Sequence, residues 1–145
     1  MLLLVGGGEL DDSLQNQMKQ KVKDLGLEDA VQFLGVREDV ADVMQAFDLF
    51  LLPSLFEGLP VTMVEAQASG LPCVISDKVP IQCDITGNVK VVALEESPEM
   101  WADQVLEFAS EFERKNTYDK IQKAGFDIRE NAKWLEEFYV GAVEG

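Results

Sequence analysis

Three observations predict an α/β fold built on a Rossmann-like, doubly wound parallel sheet. Short apolar runs alternate with helical patterns, glycine or proline punctuates their ends, and the runs lack the polar alternation of a half-exposed sheet. Leu2-Leu3-Leu4-Val5 reads as a strand running into Gly6-Gly7-Gly8. Residues 12–25 then read as a helix with Ser13 or Asp12 as cap, and 31–34 as a second strand closing at Gly35. A short helix over 38–47 leads to a strand at 48–52; a helix opens near Pro60, and strands follow at 73–76 and 89–93. No strand is expected beyond Ser97. Ser97-Pro98-Glu99 combines an N-cap, a first-turn proline and an acidic residue at the positive helix end, followed at helical spacing by Trp101, Val105, Phe108, Ala109 and Phe112. A last helix over 128–140 is expected to pack through Trp134, Leu135, Phe138 and Tyr139.

At 145 residues and 47% hydrophobic content, the chain can bury one sizeable core. One domain is expected: an α/β core over 1–96 and helices over 97–145. No apolar run reaches the ~18 residues of a membrane span. The apolar start lacks a basic flank and reads as a core strand rather than a signal peptide, which makes the cytoplasm the expected compartment. Cys73 and Cys83, with no histidine in the chain, fit neither a zinc site nor a Cys/His nucleophile and read as reduced core residues. Twelve basic against 27 acidic residues give a net charge of −15, which argues against nucleic acid as a partner. The acidic residues of the later helices read as solvated faces.

In an open α/β sheet ligands bind where the strands end at their carboxyl side, so the loop after 48–52 is informative. It reads Pro53-Ser54-Leu55-Phe56-Glu57-Gly58-Leu59-Pro60-Val61-Thr62-Met63-Val64-Glu65-Ala66. Pro60 suits a first helical turn, leaving the amides of Gly58, Leu59, Val61 and Thr62 free for an anion at the positive helix end. Gly58 removes a side chain where a ligand would approach, and Glu57 offers acceptors for sugar hydroxyls. Glu65 lies roughly 8 Å further along the axis at ~1.5 Å per residue, about the span from a sugar across a diphosphate to a ribose. The same spacing fits a plain turn in which Glu57 favours the helix end and Glu65 is an exposed helix residue. Gly6-Gly7-Gly8 lacks dinucleotide or Walker spacing and reads first as tight packing, and Arg37 alone reads as a surface residue.

The whole run, continued by Ala68-Ser69-Gly70-Leu71-Pro72-Cys73-Val74, resembles the Glu-x7-Glu signature of retaining GT-B glycosyltransferases of group 1. Leu4-Val5-Gly6-Gly7-Gly8-Glu9-Leu10 resembles that family's second-strand turn, and Val31-Gln32-Phe33-Leu34-Gly35-Val36-Arg37-Glu38-Asp39-Val40 another of its segments. The resemblance implies the C-terminal, donor-binding half of a GT-B fold without its first strand. It implies that Glu57 contacts the donor sugar, that amides over Gly58, Leu59, Pro60 and Val61 serve sugar and phosphate, that Glu65 binds ribose, and that Val36 and Arg37 lie beside the base.

The implied donor is a nucleoside-diphosphate sugar and the implied reaction its transfer to a hydroxyl acceptor with retention, needing no metal or other cofactor. The family's N-terminal acceptor-binding domain, and the strand supplying an Arg and a Lys to the diphosphate, are expected to lie outside this chain. The chain alone is therefore expected to be inactive, and any membrane contact to come through the other domain. The rival reading is a non-catalytic nucleotide-binding subunit or assembly module that needs a partner chain. A sugar-nucleotide epimerase of the same architecture is a further alternative, which the Glu-Gly-Leu-Pro context disfavours.

Overall fold

The computed structural model describes residues 1–7 and 12–143. It has two compact units, Met1–Val40 and Ala41–Gly145.

The first unit holds β1 (Leu2–Val5), α1 (Asp12–Asp24) and β2 (Val31–Gly35). The two strands are parallel, with Leu2 opposite Val31 and Leu4 opposite Phe33, and the ladder shifts at Val5 to meet Gly35. Parallel pairing requires a crossover, and α1 supplies it. Lys19 of α1 sits over the Phe33 ring at 5.8 Å, so the helix lies against β2. No described side chain of this unit is fully buried. Of the expected glycine turn, Gly6 adopts φ +124° and donates to the Gly35 carbonyl at 2.8 Å; Gly8, Glu9 and Leu10 lie outside the described residues.

After α2 (Val40–Gln45), the second unit carries β3 (Phe50–Leu52), α3 (Val61–Ala68), β4 (Cys73–Ser76) and β5 (Val89–Val92), all parallel in the order β3-β4-β5. The central strand is apolar at three of four positions, and each of its residues is buried. Met63, Ile75, Val79 and Cys83 form the core, with Phe50, Leu52 and Val89 packed on it. Each large apolar side chain removed from water there contributes about 1.5–3 kcal/mol. The segment joining β4 to β5 holds a short 3₁₀ turn at Ile81–Cys83 where an α-helix is the usual crossover. Helix α3 ends in a Schellman motif: the Gly70 amide donates to the Gln67 carbonyl and that of Leu71 to the Ala66 carbonyl, both at 3.0 Å.

Helix α4 (Pro98–Glu111) starts as its sequence predicts, with the Ser97 hydroxyl accepting from the Met100 amide at 3.2 Å. Its stripe of Trp101, Val105, Phe108, Ala109 and Phe112 is half-buried, and the Trp101 indole donates to the Ala93 carbonyl. The segment after α4 returns to the bases of α2 and α3. There the Arg114 guanidinium donates to the carbonyls of Gln45, Phe47 and Ser69, which at or just past helix ends have no backbone donor among the described residues, and to that of Met44, which also accepts from the Phe47 amide. Helix α5 (Tyr118–Lys123) was not expected from the pattern, and α6 runs over Ile128–Val143.

The expectation that α6 packs through its aromatic residues is corrected. Trp134, Leu135, Phe138 and Tyr139 are 61%, 44%, 57% and 64% exposed. They associate along their own helix instead, Trp134 stacking on Phe138 with ring centres 5.5 Å apart, because i and i+4 positions are neighbours. Among the described residues, no helix is long and apolar enough to cross a membrane.

Candidate functional site

Because β3, β4 and β5 are parallel, the chain leaves all three at one edge of the sheet. The loop after β3 carries Glu57, Gly58 and Leu59 and feeds α3. Pro60 is the N-cap of that helix, with φ −73° and ψ 98°, rather than its first helical residue. The buried Pro60 carbonyl accepts from the amides of Met63 at 3.0 Å and Val64 at 3.3 Å, and no side chain caps the helix. Among the described residues, the amides of Gly58, Leu59, Val61 and Thr62 donate to nothing. The helix therefore presents a group of free N–H donors at its positive end.

Glu57 stands at the entrance to this group, half-buried, with one carboxylate oxygen accepting from the Ser54 hydroxyl at 2.8 Å. A Cβ built on Gly58 would meet nothing within 4 Å, so the space above its backbone is open. Leu59 and Val61 are exposed. Glu65 is exposed on α3, and its carboxylate has no hydrogen-bonding partner among the described residues. The second unit thus holds Glu57, Gly58, Leu59, Pro60, Val61 and Glu65 on one loop and the helix it opens.

Val36 and Arg37 belong to the first unit, directly after β2. Val36 is 76% exposed. Arg37 is ion-paired with Asp39, its Nε donating to Oδ1 at 2.7 Å, and this carboxylate holds the guanidinium pKa above its ordinary value.

Sequence reasoning gave no role to several residues that build this edge. Ser76, fully buried at the end of β4, donates its hydroxyl to the Ser54 carbonyl. Gln67, fully buried on α3, donates to the carbonyls of Met63 and Cys83, and its oxygen accepts from the Ile85 and Thr86 amides and the Thr86 hydroxyl. It thereby fastens the β4–β5 connection to α3. The Cys83 thiol from that connection lies 3.9 Å from the Gly58 carbonyl. Burial, and then the charge of Glu57, push the Cys83 thiol above its ordinary pKa; burial pushes that of Cys73 to about 12. Both cysteines are free, and neither is a thiolate nucleophile at neutral pH. Lys78, next to this edge, is ion-paired with Asp77 at 3.0 Å. The Asp77 carboxylate also accepts from the Leu94 amide and titrates below the usual carboxylate range for that reason first.

The family model for glycosyl transferases group 1 matches residues 1–111. This chain belongs to that family. Among the glycosyltransferases it resembles, EpsF of Bacillus subtilis (strain 168) is 37% identical over 141 residues, covering 95% of this chain and 36% of EpsF. An Escherichia coli UDP-Gal:alpha-D-GlcNAc-diphosphoundecaprenol alpha-1,3-galactosyltransferase is 30% identical, covering 99% of this chain and 37% of that enzyme. This group 1 chain thus spans a little over a third of these relatives' length. Among solved structures, sucrose-phosphate synthase from Thermosynechococcus elongatus superposes with a TM-score of 0.75 at 21% identity, over 99% of this chain and 38% of that one. HepE from Anabaena, crystallised in complex with UDP, superposes with a TM-score of 0.73 at 24% identity, over 96% of this chain and 40% of that one. These two likenesses establish the fold of this chain.

Proposed function

We propose that this chain is the donor-binding half of a hexosyltransferase. The enzyme moves a sugar from a nucleoside-diphosphate sugar to a hydroxyl acceptor, with retention and without a metal, in cytoplasmic polysaccharide or glycolipid synthesis. The observation that carries the proposal is the group of free amides at the start of α3, flanked by Glu57 before it and Glu65 within it. Such a terminus accepts a diphosphate, since its donors and its dipole both favour an anion. A relative named for transfer from UDP-Gal and a fold neighbour crystallised with UDP support the reading.

In this reading the bond from the anomeric carbon to the phosphate oxygen breaks, and the acceptor oxygen bonds the same carbon on the same face. The acceptor proton passes to the departing phosphate. The amides at Gly58, Leu59, Val61 and Thr62 receive the growing negative charge, and Glu57 fixes the sugar through its hydroxyls. A helix terminus supplies only about half a charge, and the chain's net charge is −15, so further cations must complete the diphosphate site. The acceptor is bound by another domain, and this chain by itself is inactive.

Two substitutions test the assignment. In the complete enzyme, Glu57→Gln is expected to lower turnover at least about tenfold, roughly 1.4 kcal/mol, with less effect on nucleotide affinity, because it weakens charged acceptance while preserving shape. Unchanged steady-state turnover would give Glu57 a structural role only. Glu65→Ala is expected to weaken binding of the free nucleoside diphosphate by about 1.5–3 kcal/mol, the value of hydrogen bonds to a charged group. Calorimetry with uridine, guanosine and adenosine diphosphates reads this without an acceptor. Unchanged affinity in a folded variant rejects the ribose contact.

A further inference from the structure

We infer that Ser54 is a positioning residue for Glu57, holding its carboxylate in the orientation that receives the donor sugar. The inference rests on the donor-site reading above and adds a residue to it. Glu57 sits on a loop whose neighbours Leu55 and Phe56 are 82% and 83% exposed, so packing from that side does not orient it. A glutamate side chain free to rotate loses entropy whenever it engages a ligand, and this loss weakens each contact it makes. The Ser54 hydroxyl removes that freedom with a hydrogen bond at 2.8 Å to one carboxylate oxygen. A carboxylate has about four acceptor sites, so one internal donor orients it while leaving capacity for sugar hydroxyls.

Ser54 is itself anchored. Its carbonyl accepts from the hydroxyl of Ser76, which is fully buried at the end of the central strand. Ser76 is tied in turn to the next loop, its oxygen accepting from the Lys78 amide at 3.3 Å. The path therefore runs from a rigid buried strand through one backbone carbonyl and one hydroxyl to the carboxylate. Supporting shells that lock functional side chains work this way. On the far side, the Cys83 thiol lies 3.9 Å from the Gly58 carbonyl, a weak contact just beyond Glu57.

Two measurements test the inference. On the chain described here, side-chain scalar couplings of Glu57 are compared in the wild type, Ser54→Ala and Ser54→Thr. The expected result is one rotamer in the wild type and Ser54→Thr, which keeps a hydroxyl, and averaging over several in Ser54→Ala. In the complete enzyme, the ratio of UDP-glucose to UDP affinity is measured for the same proteins, for Glu57→Gln and for the double variant. Ser54→Ala is expected to lower the ratio about three- to tenfold, the range of one ordinary hydrogen bond. Ser54→Thr restores it, and Ser54→Ala adds little on top of Glu57→Gln because both act through one carboxylate. A fixed Glu57 rotamer and unchanged ratio in Ser54→Ala, while Glu57→Gln lowers it, overturn the positioning role and leave the donor reading standing. An unchanged ratio in Glu57→Gln removes the sugar contact of Glu57 and overturns this inference with it, while the amides of α3 and Glu65 still carry the donor reading.

Discussion

Gly70→Ala is expected to lower the unfolding free energy of this chain by about 2–5 kcal/mol, the largest loss we anticipate from any single methyl group. Gly70 closes the Schellman motif of α3 at φ +74°, where a side chain costs about 1–2 kcal/mol. A Cβ there would also lie 2.6 Å from the Lys115 carbonyl oxygen, which is backbone and has no rotamer to yield. Relief of that contact requires the segment after α4 to move. The same segment carries the Arg114 bonds to Ser69 and Gln45 and the Thr117 hydroxyl, which donates to the Gln67 carbonyl at 2.6 Å. Overpacking of this kind adds about 1–3 kcal/mol.

Gly125 provides an internal control. It closes α5 with the same motif at φ +83°, its amide donating to Gln122 and that of Phe126 to Ile121, yet a Cβ there meets nothing within 4 Å. Gly125→Ala is therefore expected to show only the backbone cost. Urea unfolding at constant slope compares the two. Equal shifts would mean that the close approach of Lys115 does not constrain α3.

The same contacts explain why some of the fold was legible from sequence and some was not. Strands β1 and β4 have the boundaries their apolar runs suggest, because a four-residue apolar run next to glycine or proline is too short for a helix; only β4 is buried. Helix α2 is shorter at both ends than its pattern, and β3 begins at Phe50 rather than Asp48, since end positions depend on tertiary partners more than on periodicity. Helix α5 has a single buried residue, Ile121, too little to show as a stripe; tertiary bonds hold it, from Thr117 to Gln67 and from Lys120 to Thr86. At the candidate site, Glu57, Gly58 and Glu65 stood out through the motif around them. Gln67 did not, because a glutamine on a helix reads as solvated until its five hydrogen bonds are seen. Ser54 belongs to the same motif, but nothing local in the sequence says that its hydroxyl turns toward Glu57 and its carbonyl toward Ser76.

Gly58→Ala is expected to separate function from stability in the opposite sense to Gly70→Ala. The backbone of Gly58 lies outside the left-handed region and a Cβ would enter open space, so the fold does not require glycine at this position. Alanine there is expected to leave stability unchanged or raise it by up to about 1 kcal/mol, through the lower entropy of the unfolded chain. A ligand oxygen bonded to the Gly58 or Leu59 amide would lie about 2.9 Å from nitrogen, within van der Waals reach of the new methyl group. The sugar diphosphate must then shift by a sizeable fraction of an ångström from the amides that receive its charge. Misplacement of about 1 Å costs on the order of a hundredfold in rate, so for this smaller shift turnover in the complete enzyme is expected to fall by roughly ten- to a hundredfold while the urea midpoint holds. Unchanged turnover would mean that no ligand approaches this backbone and would remove the amides of α3 from the donor site. A fall in stability instead would assign Gly58 to the turn itself, leaving Glu57 and Glu65 as the remaining ground for a donor site on this loop.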